Sequence, residues 1–357
     1  MDIAVNVPIN PTSLGQVGAA ILRVLYDREL DPPLFPAGGS ISLEPQKRCE
    51  EFESWVEECV KKAFLHDRRN PCFKLWHLSG SLQSFSEKQI LLTFHETDSL
   101  TKQEINVIKN NKTLVTSEYT ADVFRSHDLE VEVIPLGFDS NNFEIINKKY
   151  FNDERIVFNL CGKFEKRKHH KKVIQAWAKK YGNNKDYYLQ CATYNVFFSE
   201  KENEELFDWC LEGRNFFNIE FIPYMPENKG YNDFLNSGDI VIGMSGGEGW
   251  GLPEFQSCAL GKHAVILNGH GYKSWANEIN SVLVEPYGKI DSHDGKFFNH
   301  GEFFNQGEFL DWKEEDFIDG CERAVNRCRI EPFNEWGKQL QRDFSYENTV
   351  DKLFENI

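Results

Sequence analysis

Between Gly238 and Gly261 the chain reads GDIVIGMSGGEGWGLPEFQSCALG, a strand, a glycine turn and a helix start in immediate succession. Asp239–Met244 is a short apolar run of the kind a parallel sheet buries on both faces. Gly246, Gly247, Gly249 and Gly251 follow, and glycine lets backbone approach a ligand or adopt positive φ. From Leu252 the apolar residues Leu252, Phe255, Ala259 and Leu260 recur at helical spacing. Such a turn presents free backbone N–H groups and the positive end of a helix dipole, which suits a phosphate. Four glycines around the lone Glu248 favour a phosphate site over a bare βα turn.

The rest of the chain extends this pattern into an α/β protein of the doubly wound kind. In the first half, Ile3–Val7, Phe73–Leu78, Ile90–Phe94, Thr113–Thr116 and Val131–Ile134 read as strands. Gln16–Tyr26, Cys49–Leu65, Lys102–Lys109 and Ala121–His127 read as helices, and Asp31–Gly39 as a proline-rich connection. A second series follows the polar stretch Asn141–Glu154. Its strands are Ile156–Cys161, Tyr187–Cys191, Ile219–Ile222, Ile240–Met244, Ala264–Leu267 and Val282–Glu285, with Lys171–Tyr181 the first helix. Asp291–Asp311 has no clear period and is expected to be a long ordered excursion, with an acceptor-side role left open. At 357 residues there is material for two cores, with a boundary near Asn147–Asp153.

Charge and cysteine usage narrow the setting. With 40 basic and 56 acidic residues the formal net charge is -16, which opposes non-specific attraction to nucleic acid or anionic lipid. Nine cysteines without CxxC or metal-like spacing fit reduced thiols in a cytoplasmic protein. Cys321 and Cys328 share one helix face. MDIAVNVPIN, with an early Asp2 and a break at Pro8, reads as neither signal nor transit peptide. No stretch reaches the roughly 20 apolar residues a membrane span needs.

The strand Ile156–Cys161 ends in GKFEKRKHH, a cation cluster in the same expected sheet as the glycine turn. A charge run is usually a solvated loop. Here its place at a strand's carboxyl end, where open α/β sheets bind ligands, points to a diphosphate held between Lys163 and Lys168 and the N–H groups of Gly249–Leu252.

GKFEKRK at 162–168, SGGEGWGLPEFQ at 245–256 and IPLGFDSNNF at 134–143 resemble the retaining glycosyltransferases of family 4, which have the GT-B fold. The resemblance runs from LTFHETD at 92–98 to FSYENTVDKLF at 344–354. It implies two Rossmann-like domains facing across a cleft: an acceptor-side domain over 1–148, a donor domain over 149–337, and a final helix over 338–357 crossing back to the first domain. It implies that Lys163 and Lys168 hold the donor diphosphate, that Glu248 contacts the donor sugar, and that Gly247, Gly249, Trp250, Gly251 and Leu252 form the turn on the phosphates. His95 would line the donor sugar, with a strand-end histidine bonded to backbone as the rival reading. Gly15 would belong to the glycine loop facing the phosphates. Asp98 reads as a helix-cap acid, and Glu96 stays open between cap and acceptor-side group.

Two positions depart from the family pattern. Gln256 stands where a glutamate usually bonds the donor ribose, and a neutral amide bonds less strongly than a carboxylate. Glu254, two residues away on the helix, does not share that face. His169 stands where a glycine usually follows the basic pair.

The implied reaction is metal-independent, retaining hexosyl transfer from a nucleotide sugar, UDP- or GDP-linked, to an acceptor hydroxyl, with no cofactor. The acceptor would be a soluble glycan, a small molecule or a protein. A phage-type enzyme that glycosylates hydroxymethylated DNA bases is the alternative, since Lys166–Lys172 is locally basic. A non-catalytic sugar-nucleotide module is the alternative of another class. Membrane association is not expected, because Cys49–Leu65 carries five acids against two lysines.

Overall fold

The computed structural model describes residues 3–357; Met1 and Asp2, the early acid noted above, lie outside the described residues. Two parallel six-stranded sheets account for most of the architecture. The first is built from β1 (Ala4–Ile9), α1 (Ser13–Asp27), β2 (Leu34–Ile41), α2 (Glu50–Lys62), β3 (Cys72–Leu75), β4 (Gln89–Thr93), α3 (Lys102–Lys109), β5 (Lys112–Val115), α4 (Glu118–Arg125) and β6 (Glu132–Val133). Its strand order is β2-β1-β3-β4-β5-β6. The order reverses direction between β1 and β3.

The second sheet begins at β7 (Ile156–Cys161) and continues through α5 (His170–Tyr181), β8 (Tyr187–Ala192), α6 (Glu200–Leu211), β9 (Ile219–Phe221), α7 (Asn228–Ser237), β10 (Ile240–Gly243), α8 (Leu252–Ala259), β11 (His263–Leu267) and β12 (Val282–Val284). Its order is β12-β11-β10-β7-β8-β9, so the reversal falls between β7 and β10. Both of those strands are wholly buried. Ile240 and Ile242 pack into one apolar layer while Val241 packs into the other, the period-two alternation of a sheet covered on both faces.

The segment Asp31–Gly39, read from its prolines as a connection, instead enters strand β2. Val7 pairs with Pro36 in parallel register. β2 is an edge strand, and an edge tolerates the missing N–H of proline.

Asp291–Asp311 is an ordered excursion, framed by the antiparallel pair β13 (Gly288–Asp291) and β14 (Glu308–Asp311). It lies on the first domain around the start of α3. Asp98 accepts from Lys289 Nζ at 2.6 Å and from the Glu308 N–H at 2.8 Å. Thr101 Oγ1 donates to the Phe303 carbonyl and the Asn305 N–H donates to Glu104. Asp98 is therefore an interdomain anchor and not a helix cap; Thr101 caps α3, in a capping box with Glu104.

The chain ends in α9 (Glu314–Ile330), α10 (Glu335–Asp343) and α11 (Tyr346–Glu355). Ser345 caps α11 after a bend at Phe344. α11 lies on α1 of the first domain, with Arg28 paired to Asp351 at 2.7 Å and Thr349 Oγ1 donating to the Pro135 carbonyl. All nine cysteines are free thiols and eight of them are buried, Cys321 and Cys328 on the inner face of α9. No helix among the described residues is long and apolar enough to cross a membrane.

Candidate functional site

Between the carboxyl ends of the two sheets lies a cleft of about 480 Å³. The first domain contributes Pro11–Leu14 after β1, His77 after β3, and Phe94 and Glu96 after β4. The second contributes Gly162, Lys163, Arg167 and Lys168 after β7, and Glu248–Pro253 with Gln256 after β10. These two loops flank the strand reversal of the second sheet, where parallel neighbours leave in opposite directions and a crevice opens. Tyr194, Tyr224 and Met225, after β8 and β9, close one end with apolar surface.

The cation cluster folds inward. Lys168 is buried and its Nζ sits 2.6 Å from Glu248 Oε1. Gly162 admits its shaft, since a Cβ there would lie 3.2 Å from Lys168 Cε and Nζ. Lys163 is 35% exposed at the cleft wall and meets Glu165 at 2.8 Å.

Arg167, which the sequence reading passed over, is the hub. Its Nε meets Glu165 at 2.7 Å, its Nη1 meets Glu248 at 2.8 Å and the Gly247 carbonyl at 2.7 Å, and its Nη2 meets Glu96 at 3.2 Å across the cleft. Three cations thus balance three carboxylates: Lys163, Arg167 and Lys168 against Glu96, Glu165 and Glu248. Burial alone would raise the pKa of Glu248, but Arg167 and Lys168 outweigh it and hold the group down at about 2. Glu165 is held at about 2 against the same burial, by Arg167 and Lys163. Arg167 and Lys168 are in turn kept charged by these carboxylates despite their burial.

Facing the lysines, the N–H groups of Gly249, Trp250, Gly251 and Leu252 donate to no acceptor among the described residues. Gly251 sits at φ +83 as the N-cap of α8, and a Cβ there would lie 2.1 Å from the Tyr272 ring. Gly251→Ala is therefore expected to force the turn open, lowering stability by about 1–3 kcal/mol from backbone strain alone, as read by denaturant unfolding. Gly247 does not line the cleft. Its carbonyl holds Arg167, and a Cβ would lie 2.3 Å from the Glu96 carbonyl. The Trp250 indole packs against Phe255 and Phe344, leaving its backbone to face the cleft wall.

Two further sequence expectations change, and one left open is decided. His95 does not line the cleft: its neighbours Phe94 and Glu96 in the loop after β4 do, and hydrogen bonds within that loop turn the imidazole inward. Its Nε2 lies 2.9 Å from the Ser99 carbonyl and 3.0 Å from Thr97 Oγ1, with the ring against Phe124. Burial pushes its pKa down. This is the strand-end histidine bonded to backbone. Gly15 is buried against Asn10, and its neighbours Leu14 and Gln16 line the cleft instead. Glu96 is a cleft residue paired with Arg167.

His169 explains its own departure from glycine. Its backbone is left-handed at φ +54, the conformation glycine adopts freely, and it is held there by Nε2 against the Leu310 carbonyl at 2.9 Å and by Trp312. Gln256 lines the cleft.

Sequence comparison matches residues 141–294 to the family described as glycosyl transferases group 1. The loops after β7 and β10 both lie within the matched stretch. No curated protein matches the sequence. Among solved structures, sucrose-phosphate synthase from Thermosynechococcus elongatus superposes with a TM-score of 0.68 at 12% identity, over 99% of this chain and 98% of that one. A glycosyltransferase from Rickettsia africae ESF-5 gives 0.65 at 13%, over 99% and 97%. Anabaena HepE, solved in complex with UDP and glucose, gives 0.63 at 13%, over 99% and 98%. These likenesses show the fold, which is GT-B.

Proposed function

We propose that this chain is a retaining, metal-independent glycosyltransferase that moves a hexosyl group from a UDP- or GDP-linked sugar to an acceptor hydroxyl. The observation that carries the reading is the convergence of Lys163, Lys168 and four unengaged backbone N–H groups beside Glu248 at the strand reversal. As the glycosidic bond stretches, negative charge grows on the departing diphosphate and positive charge on the sugar carbon. Fixed cations and amides stabilise the first without reorganising. Glu248, held ionised, faces the second. The apolar end at Tyr194, Tyr224 and Met225 suits a nucleobase. The first domain would take the acceptor, with Glu96 the nearest carboxylate on that side.

The group 1 match and the UDP and glucose bound to HepE support this reading. A soluble acceptor fits better than DNA because the basic run is internally spent: Lys171 meets Glu212 at 3.7 Å, Lys172 meets Asp311 at 2.6 Å, and Arg167 and Lys168 are buried. Incubation with labelled UDP- and GDP-sugars, scored for sugar released to water or added to an acceptor, tests the reading. Absence of both with every donor would leave only the binding-module alternative, which Gln256 favours. Gln256→Glu is expected to tighten donor binding about tenfold, since a charge-assisted ribose contact replaces a neutral one. Calorimetric titration with the same nucleotide sugar reads the change.

A further inference from the structure

Beneath the glycine turn, on the side away from the cleft, lies a buried carboxyl group that the transfer reaction does not use. Glu254 is 2% exposed and projects into space left by two glycines. A Cβ on Gly243 would lie 2.8 Å from its Cγ, and one on Gly251 would lie 3.3 Å from its Oε2. No hydrogen bond of good geometry reaches that oxygen among the described residues; the hydroxyl of Tyr272, wholly buried beside Gly251, is near enough to draw the carboxyl's pKa down. The charged and titratable groups facing Glu254 are Lys168 after β7, Glu248 in the turn, Tyr272 in the short helix after β11, Cys161 at the end of β7 and Tyr231 on α7.

Lys168 contacts Glu248 at 2.6 Å, and the charge of Glu254 behind the turn also acts on it. A diphosphate arriving on Lys168 adds negative charge to a water-poor site already holding Glu248. An ionised Glu254, its Oε2 lying behind Gly251 of that turn, would then repel the phosphates. We propose that Glu254 is a positioning residue that takes up a proton from solvent as the diphosphate settles on Lys168 and the glycine turn, so that no second buried negative charge opposes the donor. The proposal rests on the donor-site reading above. Its titration range agrees: burial raises Glu254, Lys168 draws it back, Glu248 pushes it up, and the balance is a pKa of about 7.

The test is calorimetric titration of the full chain with UDP-glucose, GDP-mannose and ADP-glucose, whose phosphates do not titrate near neutrality. Measurements in two buffers of different ionisation enthalpy at each pH from 6 to 8.5 count the protons. The expected result is fractional proton uptake near pH 7, affinity weakening by up to about tenfold per pH unit above 7, and loss of both in Glu254→Gln with binding retained. Should Glu254→Gln fold poorly, Tyr272→Phe, which leaves the carboxyl in place, must still show proton uptake. No proton uptake by the wild type, or the same uptake in Glu254→Gln, overturns the proposal while leaving the donor site standing. No binding of any nucleotide sugar at any pH overturns both.

Discussion

Arg167→Ala is expected to lower the stability of the chain by about 3–5 kcal/mol, the usual result of removing one partner from a buried ion pair. The guanidinium satisfies Glu165, Glu248, Glu96 and the Gly247 carbonyl at once, and alanine would leave the first two carboxylates buried with fewer partners. The deficit should depend on pH with a definite sign. Glu165 and Glu248 are both held at about 2, below their unfolded range, so their contribution is present above about pH 4.5 and is lost as the pH falls toward 2. The stability gap between wild type and Arg167→Ala should accordingly narrow across that window. Denaturant unfolding at pH 7 and at pH 3 reads it. A gap that widened in acid would mean that the carboxylates are not held ionised by Arg167.

The second large effect falls on turnover. Lys168→Gln is expected to cut transfer by about 100- to 1000-fold, the range seen when one preorganised group facing transition-state charge is removed. Stability should suffer less than in Arg167→Ala, because Glu248 keeps Arg167 at 2.8 Å. The two variants thus separate roles that the sequence run KRK leaves adjacent: one residue builds the site and the other faces the donor. Wild-type kcat/KM in a folded Lys168→Gln protein would remove Lys168 from the chemistry.

The parts of this molecule that were legible in the sequence are those set by local pattern. Apolar runs of four to six residues marked β7 and β10, and glycine spacing marked the turn between β10 and α8. The edge strand β2 was hidden because Pro36, Gly38 and Gly39 are turn residues by local chemistry. Only its parallel pairing with β1 makes them a strand, and pairing is a long-range fact. Arg167 was hidden for a related reason. In GKFEKRK nothing local distinguishes the arginine from its lysine neighbours, and its role comes from Glu96 and Glu248, 71 and 81 positions away in the chain. His95 is the opposite case: a histidine just past a strand's carboxyl end is well placed for function, but its partners, Thr97 and the Ser99 carbonyl, lie in the following loop and turn its ring inward. Asp98 looked like a cap because α3 starts nearby, whereas its partners come from the β13–β14 hairpin.

The location of a bound nucleotide decides the central claim. A crystal structure of the chain with UDP or GDP should show the diphosphate within hydrogen-bonding distance of Lys163, Lys168 and the N–H groups of Gly249–Leu252. A nucleotide found instead in the separate cavity of about 340 Å³ between the first sheet and α11, with the glycine turn untouched, would contradict it.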